Sequence, residues 1–269
     1  MESPTQVPKL QIVGGGKMGE ALLAGLLARG WAQAAEVRVV EKLPARADEL
    51  RAAHPGLTVA GEVSVADGHV VAVKPGDAEG VCRALAGEGS RSPVLSIAAG
   101  VTLARLEATL APDTPVVRAM PNTPSLVGEG AAAIAPGAAA GEGELAWAES
   151  ILGAVGTVVR LDESLLDAVT GLSGSGPAYV FLVVEALVEG GVLAGLPRPV
   201  ASALATQTLL GAARLLAESG DGPEALRAAV TSPAGTTAAG LRALEQAGVR
   251  SAFLDAVTAA TERSRELGR

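Results

Sequence analysis

The feature that most constrains this chain is a short apolar run, Leu10-Gln11-Ile12-Val13, that leads into Gly14-Gly15-Gly16-Lys17-Met18-Gly19 and then an apolar stretch from Glu20 to Arg29. The order reads as a strand, a glycine turn and a helix N-terminus. Gly14 permits the tight turn, Gly16 lets the backbone approach a pyrophosphate with no Cβ in the way, and Gly19 allows the helix to pack close to the strand. The unbonded N–H groups and positive dipole end of that helix then face an anion. With 34 glycines in the chain, a Gly-x-Gly-x-x-Gly match alone means little. Its surroundings give it weight. A second strand-like run, Val37-Arg38-Val39-Val40, ends at Glu41, 22 residues beyond Gly19, where an acid contacting a ribose is expected. Strand, turn, helix and acid together point to a dinucleotide site.

Over residues 1–160 short β-type runs alternate with helical ones, the pattern of a parallel sheet with crossover helices. The expected strands are 10–13, 37–40, 70–73, 94–97, 116–118, 131–135 and 157–160. Ligands of such sheets bind beyond the carboxyl ends of the strands, which directs attention to 14–19, Glu41-Lys42, Lys74-Pro75, Ala98-Ala99-Gly100 and Pro121-Asn122. Over 161–269 the β-type runs cease and Ala/Leu/Val-rich helices follow. The expected fold is α/β: a Rossmann-type dinucleotide-binding domain, 1–160, followed by an all-α helical domain, 161–269. Pro177 suits the first turn of a helix with Ser173 or Ser175 as its cap, and further helices are expected over 199–218, 224–230, 237–247 and 251–266.

Apolar residues make up 49% of the chain but aromatics only 2%, so the core must be built from Ala, Leu and Val. The net charge of −8 gives no footprint for nucleic acid or an anionic membrane, and favours a small-molecule partner. Cys82, the sole cysteine, excludes an internal disulfide and a thiolate zinc site; it reads as a half-buried helix residue in a protein of the cytoplasm. Met1-Glu2-Ser3-Pro4 carries no export signal. Residues 179–196 are the most apolar stretch, but Glu185, Glu189 and a glycine pair interrupt them, so they read as a buried protein helix that falls short of a membrane span. That helix is apolar nearly all round. Its own half offers limited cover, which predicts an obligate oligomer.

Only two histidines exist, His54 in a loop and His69 at the strand end opposite the crevice, and both read as exposed or edge residues. A histidine-driven mechanism and a histidine metal site are therefore not expected. Lys74-Pro75 stands beside a cofactor ribose or phosphate, or is a plain strand exit. Ala98-Ala99-Gly100 lets a nicotinamide lie close to backbone, or is simply a tight turn. Thr231-Ser232-Pro233-Ala234-Gly235-Thr236-Thr237 presents N–H groups and hydroxyls at a helix start, suited to a carboxylate or phosphate, or is only a capping loop. The carboxylates Glu163, Asp167, Glu185 and Glu189 lack a spacing that pairs them with each other. Asp162 and Glu163 read as helix caps, and Glu185 as an acid paired across an interface.

The chain closely resembles the pyrroline-5-carboxylate reductases over almost its whole length. The resemblance rests on residues 12–19, Ala72-Val73-Lys74-Pro75, Ser96-Ile97-Ala98-Ala99-Gly100-Val101-Thr102, Arg118-Ala119-Met120-Pro121-Asn122-Thr123-Pro124, the run from Asp167 to Tyr179, and Thr231 to Thr237. The last two are specific to that family. It implies hydride transfer from NADPH or NADH to the imine carbon of 1-pyrroline-5-carboxylate, giving L-proline. It also implies that Ser232, Gly235, Thr236 and Thr237 bind the substrate carboxylate, with Thr237 near the ring nitrogen; from that place Thr237 is expected to orient the imine and relay its proton. Val13, Gly14, Gly15, Gly16, Lys17 and Met18, with Ala72, Val73, Lys74, Pro75, Ala98 and Ala99, are then the cofactor-binding residues, joined by Glu41 and Lys42. The family implies a homodimer built by exchanged helices, with rings of dimers beyond it, and an active site between the cofactor domain of one subunit and the helical half of its partner. Gly61 stands where several relatives have asparagine, and Glu41-Lys42-Leu43-Pro44-Ala45-Arg46 lacks the serine-rich run that often meets a 2′-phosphate. Glu41 favours NADH, Lys42 and Arg46 blunt that, and the choice stays open. The rival readings are a reductase of another imine or of a β-hydroxyacid, and a non-catalytic dinucleotide sensor.

Overall fold

The computed structural model describes residues 7–268; Met1 to Pro4, read above for an export signal, lie outside them. Strands form where β-branched and aliphatic residues cluster. They are β1 (Leu10–Val13), β2 (Val37–Val40), β3 (Thr58–Ala60), β4 (His69–Val71), β5 (Val94–Ser96), β6 (Val116–Met120), β7 (Gly130–Pro136) and β8 (Gly156–Arg160). They make one sheet in the order β3-β2-β1-β4-β5-β6-β7-β8, parallel throughout except between β6 and β7. The first six strands have the order of a doubly wound dinucleotide-binding sheet, whose ligand crevice opens where the order reverses, between β1 and β4. The connecting helices are α1 (Lys17–Ala28), α2 (Pro44–Ala53), α3 (Pro75–Gly87), α4 (Leu103–Glu107) and α5 (Glu142–Leu152).

β3 is absent from the expected strands. It has three residues and pairs only with β2, at the sheet edge, so it carries no alternation to read. The strand expected at 70–73 begins instead at His69 and ends at Val71. Side chains alternate across the sheet. Ala132 and Ile134 of β7 pack with Leu10, Ile12 and Leu22 on one face, whereas Ala133 and Ala135 pack with Val94, Val116 and Leu85 on the other. Cys82 of α3 belongs to this second layer and is fully rather than half buried, which pushes its thiol up to about 11.

His69 corrects the reading of an exposed or edge histidine, because it is fully buried. The Ser64 N–H donates to Gln11 Oε1 at 3.0 Å, which orients that amide so that its Nε2 lies 3.2 Å from His69 Nδ1. An amide nitrogen only donates, so Nδ1 accepts and Nε2–H donates to Ser90 Oγ at 2.8 Å. Burial holds the neutral form and lowers the imidazole from 6.5 to about 4. The unfolded chain therefore takes up a proton below about pH 6.5 that the folded one refuses until about pH 4. Stability falls as pH drops through that window, by up to about 3 kcal/mol from this group, and levels off below it. Denaturant melts at pH 7 and pH 4.5 are expected to show a smaller difference for His69→Gln than for the parent; equal differences would refute the assignment.

The chain packs into two compact units, one running to Ser175 and including the chain from Ala259 onward, the other Gly176–Thr258. The boundary expected at 160/161 marks where the strands end, but the first unit extends beyond it through α6 (Leu166–Val169), a π-helical turn, Thr170–Gly174, and the end of the last helix. Neither Ser173 nor Ser175 caps a helix start. The Ser173 hydroxyl donates back to Val169 O at 3.1 Å, and the chain passes from α6 through the π turn into α7 (Gly176–Leu193). The remaining helices are α8 (Arg198–Ser219), α9 (Pro223–Ala229), α10 (Thr236–Gln246) and α11 (Val249–Leu267).

In the second unit α7 and α8 form a hairpin, with Gly191 so close to Ala201 that an added Cβ would lie 3.1 Å from the Ala201 Cβ. Within the single chain α7 is not the buried helix expected. Phe181 is 68% exposed and Leu193 91%, and among the described residues of α7 only Val188 is buried. By length and composition Glu163–Leu193 and Arg198–Ser219 do reach what a membrane crossing requires, contrary to the reading that Glu185 and Glu189 bring the stretch short of it.

Candidate active site

The glycine turn is built by close approach. Gly14 takes φ 109°, and a Cβ there would lie 2.5 Å from Ala72 O of the next strand exit. A Cβ on Gly19 would lie 2.0 Å from Gly14 O, so α1 can start at this distance from β1 only with glycine. Around Gly16, by contrast, an added Cβ would meet nothing within 4 Å. Gly16 is the N-cap of α1 and no side chain bonds the first N–H groups of the helix. The turn thus offers uncapped donors and open space together, which fits the pyrophosphate of a dinucleotide.

Glu41, at the exit of β2, reaches this turn. Its carboxylate accepts the Gly15 N–H at 3.1 Å and the Leu43 N–H at 2.9 Å, so it braces the glycine loop. Arg46 Nε donates to Gly15 O at 2.8 Å, and its guanidinium pairs with Glu20 and with Glu49, at 2.8 Å for the second. Lys42 is exposed beside them. Lys74 is the exposed N-cap of α3, with Pro75 at the first helical position, where a missing N–H costs nothing. Ala98 is buried, so its side chain serves the core and only its backbone faces the crevice, whereas Ala99 is exposed. Val13 to Met18, Glu41-Lys42, Ala72 to Pro75 and Ala98-Ala99 therefore stand at the exits of β1, β2, β4 and β5, four adjacent strands.

The turn before α10 belongs to the second unit. Ala234 holds a left-handed φ of 58°, a strained conformation for a residue with a Cβ, and Gly235 is the N-cap. A Cβ on Gly235 would lie 2.3 Å from Ser232 Oγ, so only glycine lets that hydroxyl fold against the helix start. The capping reading of this loop requires a side chain on the first N–H groups, and α10 has no such bond. The N–H groups of Thr236 and Thr237 lie at the positive start of α10, and Ser232, Thr236 and Thr237 are exposed there, a setting that suits an anion such as a carboxylate.

Two residues that the sequence reading named only within a strand exit or a motif, with no role of their own, gain one here. Asn122, at the exit of β6, donates from Nδ2 to Ser173 O at 3.0 Å and accepts the Ala131 N–H at 2.8 Å, tying the π turn to the sheet. Arg118 is a buried cation in the otherwise apolar β6, paired with Glu163 at 2.7 Å. An arginine inside a central strand was the available signal, since a buried charge requires a partner.

Residues 163–267 match the family model for pyrroline-5-carboxylate reductase dimerisation, and residues 9–100 match one for NADP oxidoreductase, coenzyme F420-dependent. A pyrroline-5-carboxylate reductase of Synechocystis sp. is 48% identical over 266 residues, covering 97% of this chain and 98% of its own. Among solved structures, a pyrroline-5-carboxylate reductase of Coxiella burnetii superposes with a TM-score of 0.91 at 35% identity, over 98% of this chain and 100% of that one. The pyrroline carboxylate reductase of Plasmodium falciparum, solved with NADP bound, gives 0.84 at 28% identity, over 99% and 100%. The two-part architecture, the open glycine turn and the uncapped start of α10 agree with these matches, and the chain belongs to the pyrroline-5-carboxylate reductase family.

Proposed function

We propose that this chain reduces the C=N bond of 1-pyrroline-5-carboxylate to give L-proline, with NADPH as the preferred hydride donor and NADH as a poorer one. The observation that carries this reading is the 48% identity to a pyrroline-5-carboxylate reductase over nearly the whole of both chains, because fold likeness alone does not name a substrate. The dinucleotide, when bound, supplies the hydride. Gly14, Gly15 and Gly16 with the first N–H groups of α1, at Lys17 and Met18, hold its pyrophosphate. Val13 and Ala72 to Pro75 flank it, and the backbone of Ala98 and the side chain of Ala99 stand beside the nicotinamide. Glu41 braces the turn, and Arg46 is already held by Gly15 O, Glu20 and Glu49, which leaves Lys42 as the cation available to a 2′-phosphate.

Ser232, Gly235, Thr236 and Thr237 hold the substrate carboxylate at the start of α10. The Thr237 hydroxyl orients the imine nitrogen and relays a solvent proton to it, and the protonated imine then accepts hydride at the neighbouring carbon to give the secondary amine. A protonated imine is already electrophilic, so these residues need only align it and exclude water. The exposed aliphatic faces of α7 and α8 are the surface of a homodimer, from which rings of dimers assemble. The purified protein is expected to oxidise NADPH only when pyrroline-5-carboxylate is added, faster than it oxidises NADH, and to show by light scattering a mass of at least two chains. No substrate-dependent oxidation with either nucleotide would overturn the reading.

A further inference from the structure

The turn after β5, from Ala98 to Thr102, is weakly held by its own atoms. The Val101 N–H reaches Ala98 O at 3.4 Å and the Ala98 N–H reaches Ser96 Oγ at 3.4 Å, both longer than an ordinary hydrogen bond. Between them Gly100 takes a left-handed φ of 74°, at the residue type with the most backbone freedom. Its path is therefore set from outside. Glu163 Oε1 accepts the N–H of Leu103, the first residue of α4 and the next beyond the turn, at 2.7 Å. The same oxygen accepts Arg118 Nη1 at 2.7 Å. Arg118 is 7% exposed and sits on β6, the strand paired with β5 through Ser96. One carboxylate oxygen thus fastens the end of the turn to the neighbouring strand by two charge-assisted bonds, a class about twice as strong as neutral hydrogen bonds.

A helix cap needs only an acceptor for the Leu103 N–H. The buried arginine behind it adds something a cap does not need, a fixed direction for the carboxylate. We propose that Glu163 is a positioning residue for hydride transfer: held by Arg118, its carboxylate fixes the turn that carries Ala98 and Ala99 beside the nicotinamide. The inference rests on the reading that this turn lines the cofactor.

The test compares Glu163→Ala and Glu163→Gln with the parent, by steady-state kinetics, by the primary deuterium isotope effect with 4-deuterated NADPH, and by NADPH binding followed through nicotinamide fluorescence. Loss of the strut is expected to lower kcat of Glu163→Ala about 10- to 100-fold per folded molecule, because reacting atoms an ångström out of place cost that much. KM for pyrroline-5-carboxylate stays within about twofold, and the isotope effect on kcat rises as hydride transfer becomes limiting. Glu163→Gln keeps an acceptor but not the charge that strengthens both bonds, so it recovers only part of the loss and its kcat stays several-fold below the parent's. A Glu163→Ala enzyme with the parent's kcat per folded molecule and isotope effect would overturn the proposal; if that variant does not fold, the same two readings on Glu163→Gln decide, a lowered kcat with a raised isotope effect supporting it and parental values overturning it. Should the parent itself not reduce pyrroline-5-carboxylate, the functional reading falls, and NADPH binding alone decides: weakened several-fold in the variant it upholds the strut, unchanged it removes it.

Discussion

Gly19→Ala is expected to unfold or severely loosen the cofactor-binding unit, whereas Gly16→Ala is expected to fold like the parent and still lose the dinucleotide. The two substitutions add the same methyl group three residues apart. At Gly19 that carbon would lie 2.0 Å from Gly14 O and 3.2 Å from Gly14 C. Both are backbone atoms of a turn that itself crowds Ala72 O, so neither can move aside as a side chain would. Either α1 shifts off β1, opening the layer that contains Ile12 and Leu22, or the turn deforms; overpacking of this kind costs about 3 kcal/mol or more. At Gly16 the carbon meets nothing within 4 Å, so only alanine's poorer fit to an N-cap costs stability, about 1 kcal/mol, but the carbon occupies the space through which a pyrophosphate approaches the uncapped end of α1. Thermal melts and NADPH fluorescence titrations separate the two outcomes. Gly16→Ala should melt within a few degrees of the parent and bind NADPH at least about tenfold more weakly, a loss of about 1.4 kcal/mol. Parental NADPH affinity in Gly16→Ala would mean that the nucleotide does not approach the turn there.

The contrast shows what the sequence made legible. Strand, glycine turn and helix are local patterns, and β1, β2, β5, β6, β7 and β8 lie within one or two residues of where periodicity puts them. So do α8 to α11, whose ends are marked by Pro and Gly. What escaped was decided by partners far along the chain. His69 looks like an edge residue until Gln11 and Ser90 enclose it. Glu163 looks like the cap of its own helix, yet it bonds the start of a helix 60 residues earlier. Ser173 looks like a cap before Pro177, but the helical path does not break there, and the hydroxyl bonds backwards within a π turn. The apolar face of α7 was legible as a surface needing cover, whereas its exposure in the single chain appears only when the neighbouring helices are placed. At the candidate site the residue types of the α10 turn left binding and capping open, because Ser and Thr do both. The absence of any side-chain cap on α10 is a structural observation that weighs against the second.

Thr237→Ala is the sharpest probe of that turn, since it removes a hydroxyl and little else. Thr237 is the second residue of α10, and the N–H groups offered at its start belong to the backbone, so they survive the substitution. Alanine is also the better helix former, so the helix does not suffer. A role confined to binding the carboxylate would therefore raise KM for pyrroline-5-carboxylate and leave kcat alone. A role in orienting and protonating the imine nitrogen acts in the transition state, and its loss lowers kcat by about 10²-fold with KM little changed. Thr237→Ser retains the hydroxyl and should recover most of the rate, while Thr237→Val keeps the shape without the proton and should not. The pH profile adds an independent reading. A threonine hydroxyl does not change its charge between pH 6 and pH 8, so the loss in Thr237→Ala should be similar across that range. Turnover of Thr237→Ala equal to that of the parent would remove the hydroxyl from the chemistry and leave the start of α10 as an anchor for the carboxylate alone.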